Sequence, residues 1–523
     1  MSASREKKNR QDLAGSGIPD IREVRAEEER KKQRRTNRMY AAIAIIFVVV
    51  AVALVVWNSN IIQRSSTAVT VDGEEYSAAE VGYYYHSAYN SIVNSQAGSY
   101  LGIDPQKPLK EQEVSEMAGM MGIQAEEGMT WDDYFRQAAK DQLVQLTALK
   151  RGAEEAKFEF TDAMQAQVDE VLEQLNAGAK QAGMSAKAYL KAVFGPNMTM
   201  GVFKDILHDS VWVSEFAADH QASLEYSDKE IEKYYQKNKD QFDVVSYDSI
   251  FFNGAAEPTQ NDDGESVPAT EEENKKASKA AKKAANEALA QVQAGGDMET
   301  IAKDYKMASF STKTDATNYG DEMSKWLFDK DRTEGETGLV ESNGSYYVVT
   351  FHERGRNEYN TVNVRHILKK LDTTGLDPQA EDYKDKVEEL KKTAKAEADK
   401  ILQEWKDGAA TEESFAELAN KNSDDGGSNT KGGLYEQVPK GQMVPAFNDW
   451  IYDKDRKVGD TDILFVDAGN YMGYHVMYFC GEDAPYWTVQ VRGTMSEKDQ
   501  TEWNEGLMKD LKAEDASGMK YVG

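Results

Sequence analysis

The apolar positions along this chain change period several times, and each change marks a segment. Tyr40 to Trp57 is a run of 18 consecutive apolar residues. At ~1.5 Å rise per residue it makes roughly 27 Å of helix, close to a bilayer core. The run predicts a transmembrane helix over 40–57, between a basic segment, 1–39, and a short polar linker, 58–66. Alternation at Thr67–Val71 then reads as a strand leading through Asp72-Gly73 into a helix start. Ser77-x-x-Glu80 is a capping box with Tyr76 and Val81 as its hydrophobic staple, and Val81, Tyr84, Tyr85 and Ala88 continue the apolar face. Thr130-x-x-Asp133 opens a second helix, with a face through Trp131, Phe135, Ala138, Leu146 and Leu149. Ser227-x-x-Glu230 before Ile231 is a further box. Residues 67–240 therefore read as an all-helical domain entered by one strand.

Beyond this region one unit occurs twice. Trp326–Thr337 (W-L-F-D-K-D-R-T-E-G-E-T) recurs as Trp450–Thr461 (W-I-Y-D-K-D-R-K-V-G-D-T), an offset of 124 residues. Upstream, Tyr247–Phe251 matches Val364–Leu368; downstream, Ser345–Phe351 matches Gly473–Phe479. The repeats run from 243 to 355 and from 361 to 482. Each is predicted to go strand, helix, helix, loop, short helix, strand, a small α+β domain. The charged stretches 267–294 and 380–405 read as inserted exposed helices. Residues 483–523 are expected to form a strand at W-T-V-Q-V-R and a capped helix from Ser496. That helix would pack Trp503, Leu507 and Leu511 on the helical domain. Polar residues persist in one copy only: His366 becomes Ser249, His475 becomes Tyr347, and Asp425 falls near Ala308. This pattern predicts one working site and one scaffold.

Charge orients the chain. The first 39 residues hold twelve Lys/Arg against seven Asp/Glu, ending in Arg34, Arg35 and Arg38. By the positive-inside rule they stay in the cytosol and the bulk lies outside a bacterial cell membrane. A cleavable signal peptide is the rival reading, although Ala51-Val52-Ala53 lies inside the apolar run rather than after it. Net charge is −29, or −34 beyond residue 39, which argues against a nucleic-acid partner. The single cysteine, Cys480, excludes an intramolecular disulfide. His86, His208, His220 and His352 show no metal-ligand spacing.

Six ordered motifs in the second repeat carry a resemblance. They are Val364-Arg365-His366-Ile367-Leu368, Phe415-Ala416-Glu417-Leu418-Ala419, Ser423-Asp424-Asp425, Lys431-Gly432-Gly433-Leu434, Gly441–Phe447 and Gly473-Tyr474-His475. Together they resemble the parvulin family of peptidyl-prolyl cis-trans isomerases over about 120 residues. The layout of anchor, helical domain, two parvulin-like repeats (the first degenerate) and terminal helix resembles the PrsA/SurA group of extracytoplasmic folding factors. The resemblance implies that Leu434, Met443 and Phe447 line a proline slot. It also implies that His366 and His475 are paired buried histidines shaping the site, with Asp425 in the family's Cys/Asp position. Two departures are visible: Tyr435 follows Leu434 where a second glycine is common, and Met472 stands where a small hydroxyl residue is frequent. No Arg pair follows Lys369-Lys370, which argues against phosphate-directed specificity.

The implied chemistry needs no metal, cofactor or covalent intermediate. An X-Pro bond rotates over ~18–20 kcal/mol, taking tens of seconds uncatalysed. An apolar slot for the ring beside a small polar group suffices to lower that barrier. Each residue also has a plainer reading. A strand histidine is more often a satisfied core residue, Asp425 fits a turn, and Leu434, Met443 and Phe447 fit a core. Loss of both histidines together from the sister repeat favours the site. Met117, Met120 and Met121 fit a buried cluster or a pliable client surface. The function implied is a membrane-anchored foldase acting on unfolded or newly exported proteins. Its rivals are a holdase without isomerase activity and a cell-surface interaction protein using the repeats as scaffold. The sequence leaves the assembly state open, a homodimer included.

Overall fold

The computed structural model describes residues 43–50, 60–93, 98, 100–104, 106–120, 122–260, 266–469 and 471–523. They form two units, one running to Leu224 and including Asp499–Gly523, the other Glu225–Lys498. The division at Leu224 places the Ser227 capping box in the second unit, where the sequence suggested a boundary near 240. Of the apolar run 40–57, only 43–50 lies within the described residues, as helix with exposed side chains. Among the described residues no helix is long and apolar enough to cross a membrane.

In the first unit, β1 (Thr67–Val71) and β2 (Glu74–Ser77) form an antiparallel hairpin. The short strand Ala513–Asp515 pairs along the other edge of β1. The longer helices that follow are α1 (Ala78–Val93), α2 (Trp131–Ala156), α3 (Asp162–Gln181), α4 (Ala186–Phe194) and α5 (Met200–Ser223). Glu80 accepts from the Ser77 amide at 2.8 Å, and the Thr130–Asp133 box closes in both directions. The buried face of α2 passes through Ala139 and Leu143, one residue on from Ala138, because the apolar stripe follows the i, i+4 spacing of Trp131, Phe135 and Ala139. Trp503 stacks on His220 at 3.9 Å, and Leu507 and Leu511 join the same core.

The second unit opens with α6 (Asp228–Lys237) and then builds two similar layers. The first has β3 (Asp243–Phe252), a hairpin of β4 (Thr259–Gln260) and β5 (Ser266–Val267), α7 (Glu271–Gln293), α8 (Met298–Lys303), β6 (Ala308–Ala316), α9 (Glu322–Leu327), β7 (Thr337–Ser342) and β8 (Ser345–Arg356). The second has β9 (Asn360–Lys370), α10 (Tyr383–Asp407), α11 (Glu412–Asn422), β10 (Leu434–Val438), α12 (Pro445–Ile451), β11 (Thr461–Asp467) and β12 (Met472–Pro485). The sheets run β6-β3-β8-β7 and β10-β9-β12-β11, antiparallel throughout. The main sheet of each repeat thus has four strands rather than two.

The charged helices are core elements, not insertions. Ala281, Ala285 and Ala288 of α7 are fully buried against β3 and β8. In α10, Ala398, Ile401, Leu402 and Trp405 cover the equivalent face of the second sheet. Alanine permits close helix–sheet approach, so the lysines and glutamates on the outer face dominate the composition while a narrow stripe does the packing. The W-T-V-Q-V-R segment is also helical, as the start of α13 (Tyr486–Met508). Trp487 and Val491, four apart, are buried with Ile231, Tyr235 and Phe242. No new cap begins at Ser496.

The duplicated W-x-x-D-K-D-R-x-x-G motif is a structural device. Arg332 lies over Trp326 at 3.8 Å and Arg456 over Trp450 at 4.0 Å, and each arginine Nε donates to its tryptophan's carbonyl at 3.0 Å. Gly335 and Gly459 then donate backbone hydrogen bonds to Phe351 and Phe479.

Candidate active site

Strand alternation sorts the second sheet into two faces. Ile367, Val476 and Tyr478 point to α10 and α11, whereas Val364, His366, His475 and Met477 point to the face covered by α12. His366 lies on β9 and His475 on β12, two residues apart in register, since their partners are Met477 and Leu368. Both are buried, 4% and 3% exposed. Their Nδ1 atoms are 2.9 Å apart and their rings lie within 16° of parallel.

The pair belongs to a longer chain of hydrogen bonds. His366 Nε2 meets Asp425 Oδ2 at 2.9 Å, and Tyr471 OH meets His475 Nε2 at 3.2 Å. The same Asp425 oxygen accepts from Tyr435 OH at 3.0 Å and from Ser428 Oγ. The hydrogen bond from His366 holds the Asp425 carboxyl well below the usual carboxylate range, and Ser428 and Tyr435 add to it. Burial pushes His475 down to about 3, with the neighbouring His366 acting in the same direction. An ionised Asp425 can only accept, so His366 presents Nε2–H to it. A neutral His475 carries one ring proton, so it donates to one of His366 Nδ1 and Tyr471 OH and accepts from the other.

A cavity of about 350 Å³, part apolar and part polar, adjoins this chain. Its apolar lining is Leu368, Met443, Val444 and Phe447; Tyr435, Tyr471, Lys370 and Asp424 join the His–His–Asp group on its polar side. Phe447 stands edge-on to both imidazoles, 5.6 and 5.7 Å from their centroids. Pro445 at the first turn of α12 fixes the entry to that helix, so Phe447 faces the sheet.

The structure therefore brings together His366, His475, Asp425, Met443 and Phe447. Leu434 is not among the cavity residues. It pairs with Arg365 on β9 and so shares the face of α11, while Tyr435, opposite Val364, shares the face of His366. Sequence reasoning missed Leu368, Ser428, Tyr435 and Tyr471. Leu368 follows His366 by two on the same strand, a signal that was available. Ser428 sits three residues past Asp425 in a turn-rich loop, and Tyr471 reaches back from the end of a hairpin, so neither follows strand periodicity. Among the described residues, no group of three or more His, Cys, Asp or Glu is placed to hold a metal ion.

In the first repeat Ser249 Oγ meets Ser311 Oγ at 3.0 Å on the corresponding face. Only four residues, 304–307, connect α8 to β6, against eleven, 423–433, between α11 and β10. The loop that carries Asp425 thus has a much shorter counterpart, a larger change than one residue becoming alanine.

A four-stranded antiparallel sheet backed by two helices, with a His–His–Asp chain beside an apolar slot, defines a small α+β domain of the parvulin class. Residues 351–477 match the PPIC-type PPIASE domain family. No curated protein matches the chain. Among solved structures it is similar to the peptidylprolyl isomerase PrsA from Bacillus anthracis, with 24% identity over 29% of this chain and 58% of that one, TM-score 0.18. It is also similar to the foldase protein PrsA from Streptococcus pneumoniae, with 10% identity over 74% and 90%, TM-score 0.21. A third likeness is to the SurA-like chaperones of Campylobacter jejuni, with 13% identity over 69% and 88%, TM-score 0.13. The chain spans just over half the length of the first of these.

Proposed function

We propose that the second repeat isomerises X-Pro bonds in extracytoplasmic client proteins while the first repeat serves as scaffold. One observation carries this reading: a satisfied polar chain, Tyr471–His475–His366–Asp425, lines a cavity together with Leu368, Met443 and Phe447. A planar amide is polar through its resonance, and twisting removes that polarity. An apolar slot therefore disfavours the planar ground state more than the twisted transition state, the differential binding that catalysis requires. Asp425 already accepts three side-chain hydrogen bonds at one oxygen, so its charge is engaged within the protein. It acts as a positioning residue that holds His366, and through it His475, in one orientation. Met443 and Phe447 are placed to hold the proline ring.

Around this centre, the 40–57 run would anchor the protein in a bacterial membrane with its N-terminus in the cytosol. The helical unit would hold unfolded or newly exported chains, with Met117 and Met120, 51% and 87% exposed, among its contacts. The test is isomerisation of a short proline peptide by the full chain, followed by coupled proteolysis or NMR exchange. A rate indistinguishable from the uncatalysed one sinks the enzymatic reading and leaves the holdase.

A further inference from the structure

A second cavity, of about 510 Å³, lies on the other side of Tyr471. Its walls are the first turns of α10, from Tyr383 to Lys391, and the β11–β12 hairpin around Asp467, Gly469 and Met472. It sits on an apolar cluster of its own, in which Leu371, Val387 and Ala394 are buried and Tyr383, Phe465 and Met472 pack against them. Tyr471 lines both cavities, with its hydroxyl on His475 in the first.

The rim carries two lysines, Lys384 and Lys391, and two carboxylates, Glu388 and Asp467. Lys391 pairs with Glu388 at 2.8 Å and lies 4.8 Å above the Phe465 ring, while Asp467 accepts from the Gly469 amide at 3.2 Å. Such a rim offers no concentrated charge to an anion or a metal, whereas the floor of Tyr383, Val387, Tyr471 and Met472 suits an uncharged side chain. A chain leaving the proline slot past Tyr471 needs about two or three extended residues, at ~3.3 Å each, to clear a ring of that size.

The geometry points to a second subsite for the same client chain: the cavity between α10 and the β11–β12 hairpin takes an apolar side chain two or three residues from the isomerised proline. This rests on the isomerase reading of the first cavity. Because the second cavity is remote from the rotating bond, it binds ground and transition states alike and should lower KM without raising kcat.

The full chain is assayed with a four-residue proline peptide and with longer peptides carrying Leu or Asp two or three residues from the proline on either side. Burying most of a leucine side chain corresponds to about tenfold in affinity. The expected result is a KM about tenfold lower for a Leu peptide extended on one side, an unchanged kcat, and loss of the gain with Asp. In Tyr383→Ala the difference between the Leu peptide and the short peptide should shrink to less than about threefold. The Leu/Asp comparison on the unaltered chain decides the matter even where that variant fails to fold. Turnover of all peptides with equal KM overturns the subsite alone. Turnover of none overturns the isomerase reading, and the subsite with it.

Discussion

The backbone of Gly433 lies against His366: its carbonyl accepts the His366 amide at 2.9 Å, and a Cβ at Gly433 would fall 2.1 Å from the His366 carbonyl oxygen. The glycine also has φ +70°, where an L side chain is strained. Backbone cannot move aside as a flexible side chain can. Gly433→Ala should therefore destabilise the second repeat by a few kcal/mol and pull the Asp425 loop off β9. Thermal unfolding and peptide isomerisation should both fall. An unchanged melting temperature would mean the loop can relocate freely.

His366→Ala in the full chain should reduce isomerisation to the uncatalysed rate. The first repeat has Ser249 and Ser311 in contact where the histidine network would lie, so it offers no reserve activity. Residual turnover approaching that of the unaltered chain would show that the first repeat isomerises too.

Acid should weaken the fold through His475 before it affects any carboxylate. Burial depresses this histidine to about 3, while the unfolded chain takes up a proton near 6.5. Stability from His475 is thus complete above pH 6.5 and declines as pH falls toward 3, at up to about 1.4 kcal/mol per pH unit. Asp425, also depressed, adds a loss in the same direction once pH drops below its unfolded value near 3.8. Denaturant midpoints measured from pH 8 to 4, beside His475→Gln, would show this slope, and the variant should lack much of it. Isomerisation should be nearly flat above pH 6.5; a steep titration there would mean that a histidine exchanges protons during the reaction.

Phe447→Ala removes the ring that stands edge-on to both imidazoles, costing ~3–5 kcal/mol in stability. In a variant shown to be folded by circular dichroism, turnover should fall by more than about tenfold, as the slot no longer grips the proline. A folded Phe447→Ala chain with full activity would place the slot elsewhere.

Topology has its own test. Protease added outside intact cells should digest the chain beyond residue 66 and spare the first 39 residues. Recovery of a membrane-free chain beginning after residue 53 would contradict an uncleaved anchor.

Much of this architecture was readable because its signals are local. Capping boxes at Ser77, Thr130 and Ser227 depend on residues three apart, and the Trp–Arg turn is contained in the ten residues from Trp326 to Gly335. His366 and His475 stood out by their loss from the sister copy. What escaped depends on pairing between distant segments. Strand β6 is polar and largely exposed, so its edge role leaves little apolar pattern. Leu434 was assigned to the slot by its place in a motif, yet sheet register turns it to the opposite face and delivers Tyr435 instead. Tyr471 supplies a hydroxyl to His475 one residue before Met472, where the sequence suggested that such a group was missing.

The order of the two units along the chain bears on how the protein is made. The chain starts the first unit, leaves to form the whole of Glu225–Lys498, and returns. Strand β1 then meets Ala513–Asp515, and Arg136 binds the carbonyls of Met519 and Val522 at 2.8 and 2.6 Å. Contacts between residues roughly 380 to 450 positions apart close only after Glu225–Lys498 has been synthesised, so that unit can be complete while the first still lacks an edge strand. A nascent copy of this protein is thus, for a time, an incompletely folded chain of the kind it would serve.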